Sequence, residues 1–110
     1  MDQTVSDKVD IYSPLADDPD LRQIVEMFVQ EMPGRTTLLL NQLLGGDWQA
    51  LRSTLHQLKG AAGSYGFDPI SHCAAKAEST LRNNASEEDI RAAIEELIEL
   101  CGHARGGRPA

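Results

Sequence analysis

The sequence is poor in positive charge and has no long apolar run. Its 110 residues carry 10 lysines and arginines against 17 aspartates and glutamates, a formal net charge of -7. Such a chain repels the phosphate backbone of nucleic acid, so we expect no DNA or RNA partner. No stretch approaches the roughly 20 apolar residues that span a bilayer, and the N-terminus lacks a signal peptide's basic and apolar segments. We therefore expect a cytoplasmic protein without membrane contact.

Cysteine is also scarce. Cys73 and Cys101 are the two cysteines of the chain, and each lies on an apolar helical stripe. A thiol in that position is most often an inert small hydrophobe. We expect two free thiols, as in a reducing compartment, and no disulfide.

The sequence does contain apolar residues at helical spacing, interrupted by helix start and stop signals. Asp18, Asp47, Asp68 and Ser86 stand where side chains cap helix N-termini, and Pro33 is expected to end or kink the first helix. This pattern predicts five helical segments and no strand. Their apolar stripes are Leu21, Ile24, Val25, Phe28 and Met32; Leu38, Leu39, Leu40, Leu43 and Leu44; Leu51, Leu55, Leu58 and Ala62; Ile70, Cys73, Ala74, Ala77 and Leu81; and Ile90, Ile94, Leu97, Ile98 and Cys101.

Short connections between amphipathic helices favour antiparallel neighbours. The predicted fold is all-α: an up-and-down antiparallel four-helix bundle with an additional short or kinked N-terminal helical segment. Residues 1–14 show no apolar period, and the tail HARGGRPA is rich in glycine and charge. We predict a loose segment over 1–14, the bundle domain over 15–102 and a disordered tail over 103–110.

One histidine lies just off the third apolar stripe. Successive helix residues are about 100° apart, so His56, one step round from the stripe, is expected to be at least half exposed. Lys59, Gly60 and Gly63 follow on the same strip, and Arg52 precedes it by one turn. The alternative, a core histidine bonded inside the bundle, would place the residue on the stripe itself.

The two glycines on this strip need an explanation, because glycine inside a helix costs about 0.5–1 kcal/mol relative to alanine. Gly60 and Gly63 could allow close packing against another helix of the chain. They could equally let another protein bring its own surface against His56. The sequence leaves both explanations open.

The following helix supplies a carboxylate at the height of His56. If the two helices are antiparallel around a turn near residue 67, residues whose numbers sum to about 134 lie at one level, which pairs His56 with Glu78. A carboxylate that accepts from Nδ1–H would fix the tautomer and leave Nε2 free as a nucleophile. The alternative is that Glu78 is one of 17 acidic residues on solvated faces.

Other kinds of site fail on residue order or spacing. In HQLKGAAGSYG the lysine precedes the candidate loop and no strand leads into it, which excludes a P-loop and a dinucleotide-binding loop. The histidines and cysteines lack the C-x-x-C or H-E-x-x-H spacing of zinc sites, so we expect no metal. The hydroxyl residues lack a base and an orienting acid for a serine-type triad.

The stretch LHQLKGAAGSYG, with CAAKAE on the next helix, resembles the histidine-containing phosphotransfer (HPt) domains of multistep two-component phosphorelays. The shared mark is a histidine followed at three and four by lysine and glycine, then small residues up to a further glycine. The resemblance covers roughly residues 15–101. It implies that His56 accepts the phosphoryl group, that Lys59 stabilises its charge, and that Glu78 orients the imidazole.

The resemblance also implies a partner. Gly60 corresponds to the glycine that lets a receiver domain approach, and Gly63 to a small position of the motif; with Arg52 these are the predicted partner-binding residues. Expected partners are receiver domains of a hybrid histidine kinase and of a downstream regulator, and the chain is expected to be a monomer.

The implied function is that of a phosphorelay intermediate, which takes a phosphoryl group on His56 from one receiver aspartate and passes it to another. The chain would have no kinase or ATPase activity and no cofactor of its own, since the partner receiver would hold the magnesium. The alternative is a non-catalytic docking or scaffold module that binds a signalling partner through the same face.

Overall fold

The computed structural model describes residues 9–107 of the chain. Four helices joined by short connections form a bundle, which confirms the predicted all-α fold. The elements in order are β1 (Ile11–Tyr12), a 3₁₀ turn (Pro14–Asp17), α1 (Pro19–Gly45), α2 (Trp48–Ser64), α3 (Asp68–Arg82), α4 (Glu87–Cys101) and β2 (Ala104–Arg105). In this described part, no helix is both long and apolar enough to cross a membrane.

The first helix is longer than the sequence predicts. α1 runs unbroken through Pro33 for 27 residues, so the prediction of two segments divided at that proline is wrong. Proline deprives the Val29 carbonyl of its helical donor. The helix continues because side chains on both sides of the proline are buried in one core, and tertiary packing outweighs the local cost. These side chains are Val25, Phe28, Met32, Leu39 and Leu43. The short N-terminal helical segment of the structure is the 3₁₀ turn.

The two ends of the described chain pair with each other. β1 and β2 form a parallel pair with Ile11 opposite Ala104, and the Ile11 amide donates to the His103 carbonyl at 2.8 Å. The prediction of no strand is therefore wrong, because strands of two residues are too short to show a period. The paired residues also depart from the loose ends predicted over 1–14 and 103–110. Residues 1–8 and 108–110 lie outside the described residues, and the domain boundaries stay a prediction.

The core lies between the helices and is built from one face of each. Phe28 of α1 packs its ring 5.4 Å from that of Phe67, which precedes α3, and 5.1 Å from that of Tyr65. Four residues of the predicted α1 stripes are instead exposed by 40% or more, because adjacent apolar residues cannot all face one side of a helix. They are Ile24, Leu38, Leu40 and Leu44.

Three of the four predicted helix caps are confirmed. Asp18, Asp47 and Ser86 each accept a hydrogen bond from a backbone amide two or three residues later. The predicted cap at Asp68 is wrong: this residue is already the first of α3, and the preceding Phe67 caps without a side-chain bond. Phe67 is buried there, and its backbone carbonyl accepts from the amides of Ile70 and Ser71 at 3.0 Å.

The turn between α2 and α3 sets up the site. Gly66 adopts the left-handed conformation, with φ 85°, that glycine tolerates best. A side chain at Gly66 would also collide with Ser13, whose hydroxyl donates to the Tyr65 carbonyl at 2.6 Å. The tight turn folds α3 back along α2, which makes residues of equal height face each other.

Replacing Pro33 with alanine should raise the free energy of unfolding by about 1–3 kcal/mol. Alanine restores an amide that can donate to the Val29 carbonyl and removes the ring from the helix interior. Denaturant unfolding measures the change. Gly34→Ala, where an added Cβ meets nothing within 4 Å, is the control, and should gain only about 0.5–1 kcal/mol. A less stable Pro33→Ala protein would show that α1 depends on its proline.

Candidate functional site

His56 points outward from the middle of α2. Leu51, Leu55 and Leu58 of the same helix are fully buried, which turns the neighbouring His56 toward solvent. Its side chain is 68% exposed, as the position off the stripe predicts. Nδ1 of the ring lies 3.2 Å from Oε2 of Glu78 on α3, so the two residues meet at the predicted level.

Glu78 is buried, which excludes the alternative that it stands on a solvated face. Both carboxylate oxygens have partners: Oε2 faces His56, and Oε1 lies 3.1 Å from Nζ of Lys59. Burial raises the pKa of Glu78, but the hydrogen bonds and charges of Lys59 and His56 outweigh burial and hold the pKa below its usual value. The ionised carboxylate can accept only, so the neutral imidazole carries its proton on Nδ1. Nε2 then keeps its lone pair.

The contact between Lys59 and Glu78 was missed from the sequence. Lys59 was predicted only to stabilise phosphoryl charge, and its half-buried side chain is instead paired across the helices. A signal existed: His56 and Lys59 lie one turn apart on one strip, so a carboxylate level with one can reach the other. Whether Lys59 and Glu78 act as predicted in phosphotransfer stays a prediction.

A groove of about 520 Å³ runs beside His56 toward the N-terminal end of α2. Its lining is Gln49, Arg52, Ser53, His56, Glu78 and Arg82. The sequence predicted Arg52 but missed Arg82, the last residue of α3 and one turn beyond Glu78. Within residues 9–107 neither arginine has an ion-pair partner. Two guanidinium groups that form no ion pair among the described residues therefore line the groove with the imidazole, in a chain of net charge -7.

The two glycines of the strip have different surroundings. A Cβ added at Gly60 would meet nothing within 4 Å, so this position is open surface. A Cβ added at Gly63 would lie 3.3 Å from Oγ of Ser71 on α3. Close packing within the chain, one of the two explanations left open by the sequence, therefore applies to Gly63 and not to Gly60. Gly63 has a close neighbour inside the chain and Gly60 has none there, and the partner-binding role of both residues stays a prediction.

The other candidate ligands and thiols are not assembled. Among the residues that the structure describes, no group of three histidine, cysteine or acidic side chains is placed to hold a metal ion. Cys73 and Cys101 are free. Burial raises the pKa of Cys101 to about 12, which keeps that thiol protonated and unreactive.

Acid should destabilise the protein through Glu78. A carboxylate whose pKa is lower in the folded state than its usual 4.5 stabilises the fold above that value, and this stabilisation is lost as the pH falls through the folded-state pKa. From about pH 5 to pH 3 the free energy of unfolding should fall more steeply in the wild type than in Glu78→Gln, which cannot ionise. Urea denaturation over a pH series measures both slopes.

The matched control is Glu95→Gln, at an exposed position of α4. It should keep the wild-type slope. Equal slopes in the wild type and in Glu78→Gln would contradict a stabilising contact between Glu78 and its two partners.

Comparison with known proteins agrees with this geometry. The family model described as Hpt domain matches residues 23–107, most of the chain, including all of α2 and α3. Neither the curated proteins nor the solved structures gave a match. Hpt domains are helical bundles that carry phosphoryl groups between receiver domains in phosphorelays and have no kinase activity of their own. The chain belongs to the Hpt domain family, and histidine phosphotransfer is the role that this membership supports.

Proposed function

We propose that the protein is a phosphorelay intermediate that accepts a phosphoryl group on His56 from an aspartate of one receiver domain and passes it to an aspartate of another. The observation that carries the proposal is the contact of Glu78 Oε2 with Nδ1 at 3.2 Å. This contact engages Nδ1 of the ring with Glu78 and leaves Nε2 free, on a side chain that is 68% exposed.

The transfer is a direct displacement at phosphorus. The Nε2 lone pair forms the N–P bond as the bond between phosphorus and the aspartate oxygen breaks, and the aspartate leaves as a carboxylate. The proton on Nδ1 stays in its hydrogen bond to Glu78, so the ring becomes a cation stabilised by that carboxylate. Passing the group to the second receiver is the same step reversed, with His56 restored to its neutral form.

Lys59 is the proposed stabiliser of phosphoryl charge. Charge spreads over the equatorial oxygens in the loose transition state of phosphoryl transfer, and a nearby ammonium group stabilises it. Lys59 lies one turn from His56 with its Nζ at 3.1 Å from Glu78 Oε1 and a side chain 36% exposed, so its ammonium group is within reach of the solvent side. The magnesium ion and the aspartate carboxylate that exchanges the phosphoryl group with His56 would belong to the receiver domain.

The surface around His56 supports approach of a protein partner. Gly60 adds no side chain to the rim, and Arg52 and Arg82 offer positive charge beside the ring. The reacting group of a receiver domain is a carboxylate that carries a phosphoryl group, both negatively charged, so these arginines would attract it. We propose receiver domains of a hybrid kinase and of a downstream regulator as the two partners, a monomeric chain, a cytoplasmic location, and no kinase or ATPase activity.

Replacing His56 should abolish phosphoryl acceptance. Incubation with a phosphorylated receiver domain should give an acid-labile, alkali-stable phosphoprotein with the wild type and none with His56→Gln, because the amide has no nucleophilic nitrogen. His72→Gln is the control, since His72 is exposed on α3 and does not line the groove. It should be labelled as the wild type is.

A receiver-binding assay, combined with labelling, distinguishes phosphotransfer from docking that involves no chemical step. Gly60→Arg should block receiver binding on either account, because a long side chain would fill the open surface beside His56. Labelling that survives His56→Gln would overturn the proposal. Unlabelled wild-type protein that still binds receivers would favour the scaffold module instead.

Removing positive charge from the groove should weaken association with the receiver domain and leave the phosphoryl-transfer step itself intact. Arg52→Gln and Arg82→Gln should each cost about 0.2–1 kcal/mol of receiver affinity, the value of an exposed ion pair, and should reduce the salt dependence of the transfer rate. Stopped-flow transfer at several salt concentrations measures this. Arg91→Gln, exposed on α4 and outside the groove lining, should behave as the wild type. Unchanged salt dependence in both groove variants would contradict electrostatic steering.

A further inference from the structure

The helices α2 and α3 touch at two heights, and both contacts fit one register. At one height Glu78 meets His56 and Lys59. At the other, Oγ of Ser71 donates to the backbone carbonyl of Lys59 at 2.9 Å and lies 3.3 Å from the position that a Cβ of residue 63 would take. The pairs His56 with Glu78 and Gly63 with Ser71 have the same residue-number sum, as opposite residues of antiparallel helices do. One register of α3 on α2 therefore accommodates both contacts.

Two features accompany the Ser71 contact: the Lys59 carbonyl accepts an additional hydrogen bond, and Gly63, opposite Ser71, has no side chain. A carbonyl oxygen has two lone pairs, so the Lys59 carbonyl can serve α2 and still accept from a hydroxyl of the neighbouring helix. Gly63 leaves room for this hydroxyl, since a Cβ at residue 63 would lie 3.3 Å from Ser71 Oγ and would press against it. Gly60, one turn from Gly63 on the same strip, has open space where its Cβ would be. The close approach is thus specific to Gly63.

The position of Ser71 on α3 connects this contact to the site. Ser71 and Glu78 are seven residues apart, which is two helical turns, about 10.5 Å along the axis, on the same face. Each residue of slippage would move Glu78 by about 1.5 Å and rotate it by about 100°. Glu78 must place two oxygens against two different residues of α2, so it tolerates little slippage.

We propose that Ser71, seated against Gly63 and bonded to the Lys59 carbonyl, is a positioning residue that sets the register of α3 on α2 and thereby holds Glu78 against Nδ1 of His56. Its consequence for phosphotransfer rests on the function proposed above. The effect on the His56 ring does not rest on that function, because the tautomer is set by the contact with Glu78.

The test combines a spectroscopic signature with a rate. ¹⁵N chemical shifts of the His56 ring in labelled protein report which nitrogen carries the proton, and transfer from a phosphorylated receiver domain reports the chemistry. In the wild type we expect the proton on Nδ1. In Ser71→Ala we expect a mixture of the two tautomers and a transfer rate lower by about tenfold, within the range that misplacement of a catalytic group produces. Ser71→Thr, which keeps the hydroxyl, should restore both.

Thr80→Ala is the matched control, because Thr80 on the same helix donates to the Lys76 carbonyl at the same 2.9 Å but within α3. It should lose a bond of the same length that does not join α3 to α2, and leave the tautomer and the rate unchanged. Gly63→Ala should reproduce the tautomer mixture of Ser71→Ala by pushing the hydroxyl away. The double variant should be no worse than either single one, since without Oγ the nearest Ser71 atom to the added Cβ is at 3.9 Å.

The two proposals fail separately. A wild-type tautomer and a wild-type rate in Ser71→Ala would overturn the positioning role, whatever His56 does. A tautomer mixture that appears equally in Thr80→Ala would overturn it as well, by showing that any weakening of α3 has this effect. Wild-type protein that accepts no phosphoryl group, with a tautomer that still shifts in Ser71→Ala, would support the positioning role and overturn the proposed function.

Discussion

A carboxylate taken out of water needs partners for both of its oxygens, and Glu78 finds them on a different helix. It is the one charged side chain that is buried within residues 9–107. His56 and Lys59 can meet it only if α2 and α3 are antiparallel, close and in one register. The left-handed turn at Gly66 reverses the chain, and the buried faces of both helices fix their rotation. The exposed imidazole is thus oriented by a contact that depends on the interior of the bundle.

Helix geometry made a large part of this site predictable. The exposure of His56 follows from its place one step off a stripe whose members are all buried, and the level of Glu78 follows from counting around a short turn. Both predictions use the regular rise and rotation of a helix, which sequence spacing encodes directly. The caps at Asp18, Asp47 and Ser86 are local in the same way.

The features that sequence reasoning missed depend on tertiary contact. Pro33 carries a strong local signal for a break, and burial on both sides of it prevails. The distinct roles of Gly60 and Gly63 depend on where the side chains of α3 stand, which one helix does not encode. Arg82 belongs to the groove because α3 ends beside α2, and its sequence neighbours give no hint of that. Pairing of β1 with β2 joins residues more than ninety positions apart.

The pairing of Lys59 with Glu78 would affect the approach of a phosphoryl group in the proposed transfer. The group that orients the imidazole is an anion, and a phosphoryl group approaching Nε2 is an anion as well, so the orienting group by itself would repel the substrate. Lys59, 3.1 Å from the carboxylate, offsets part of that repulsion. In the proposed transfer, the imidazole would then be held by a carboxylate whose charge is offset by Lys59, so the carboxylate would repel the phosphoryl group less.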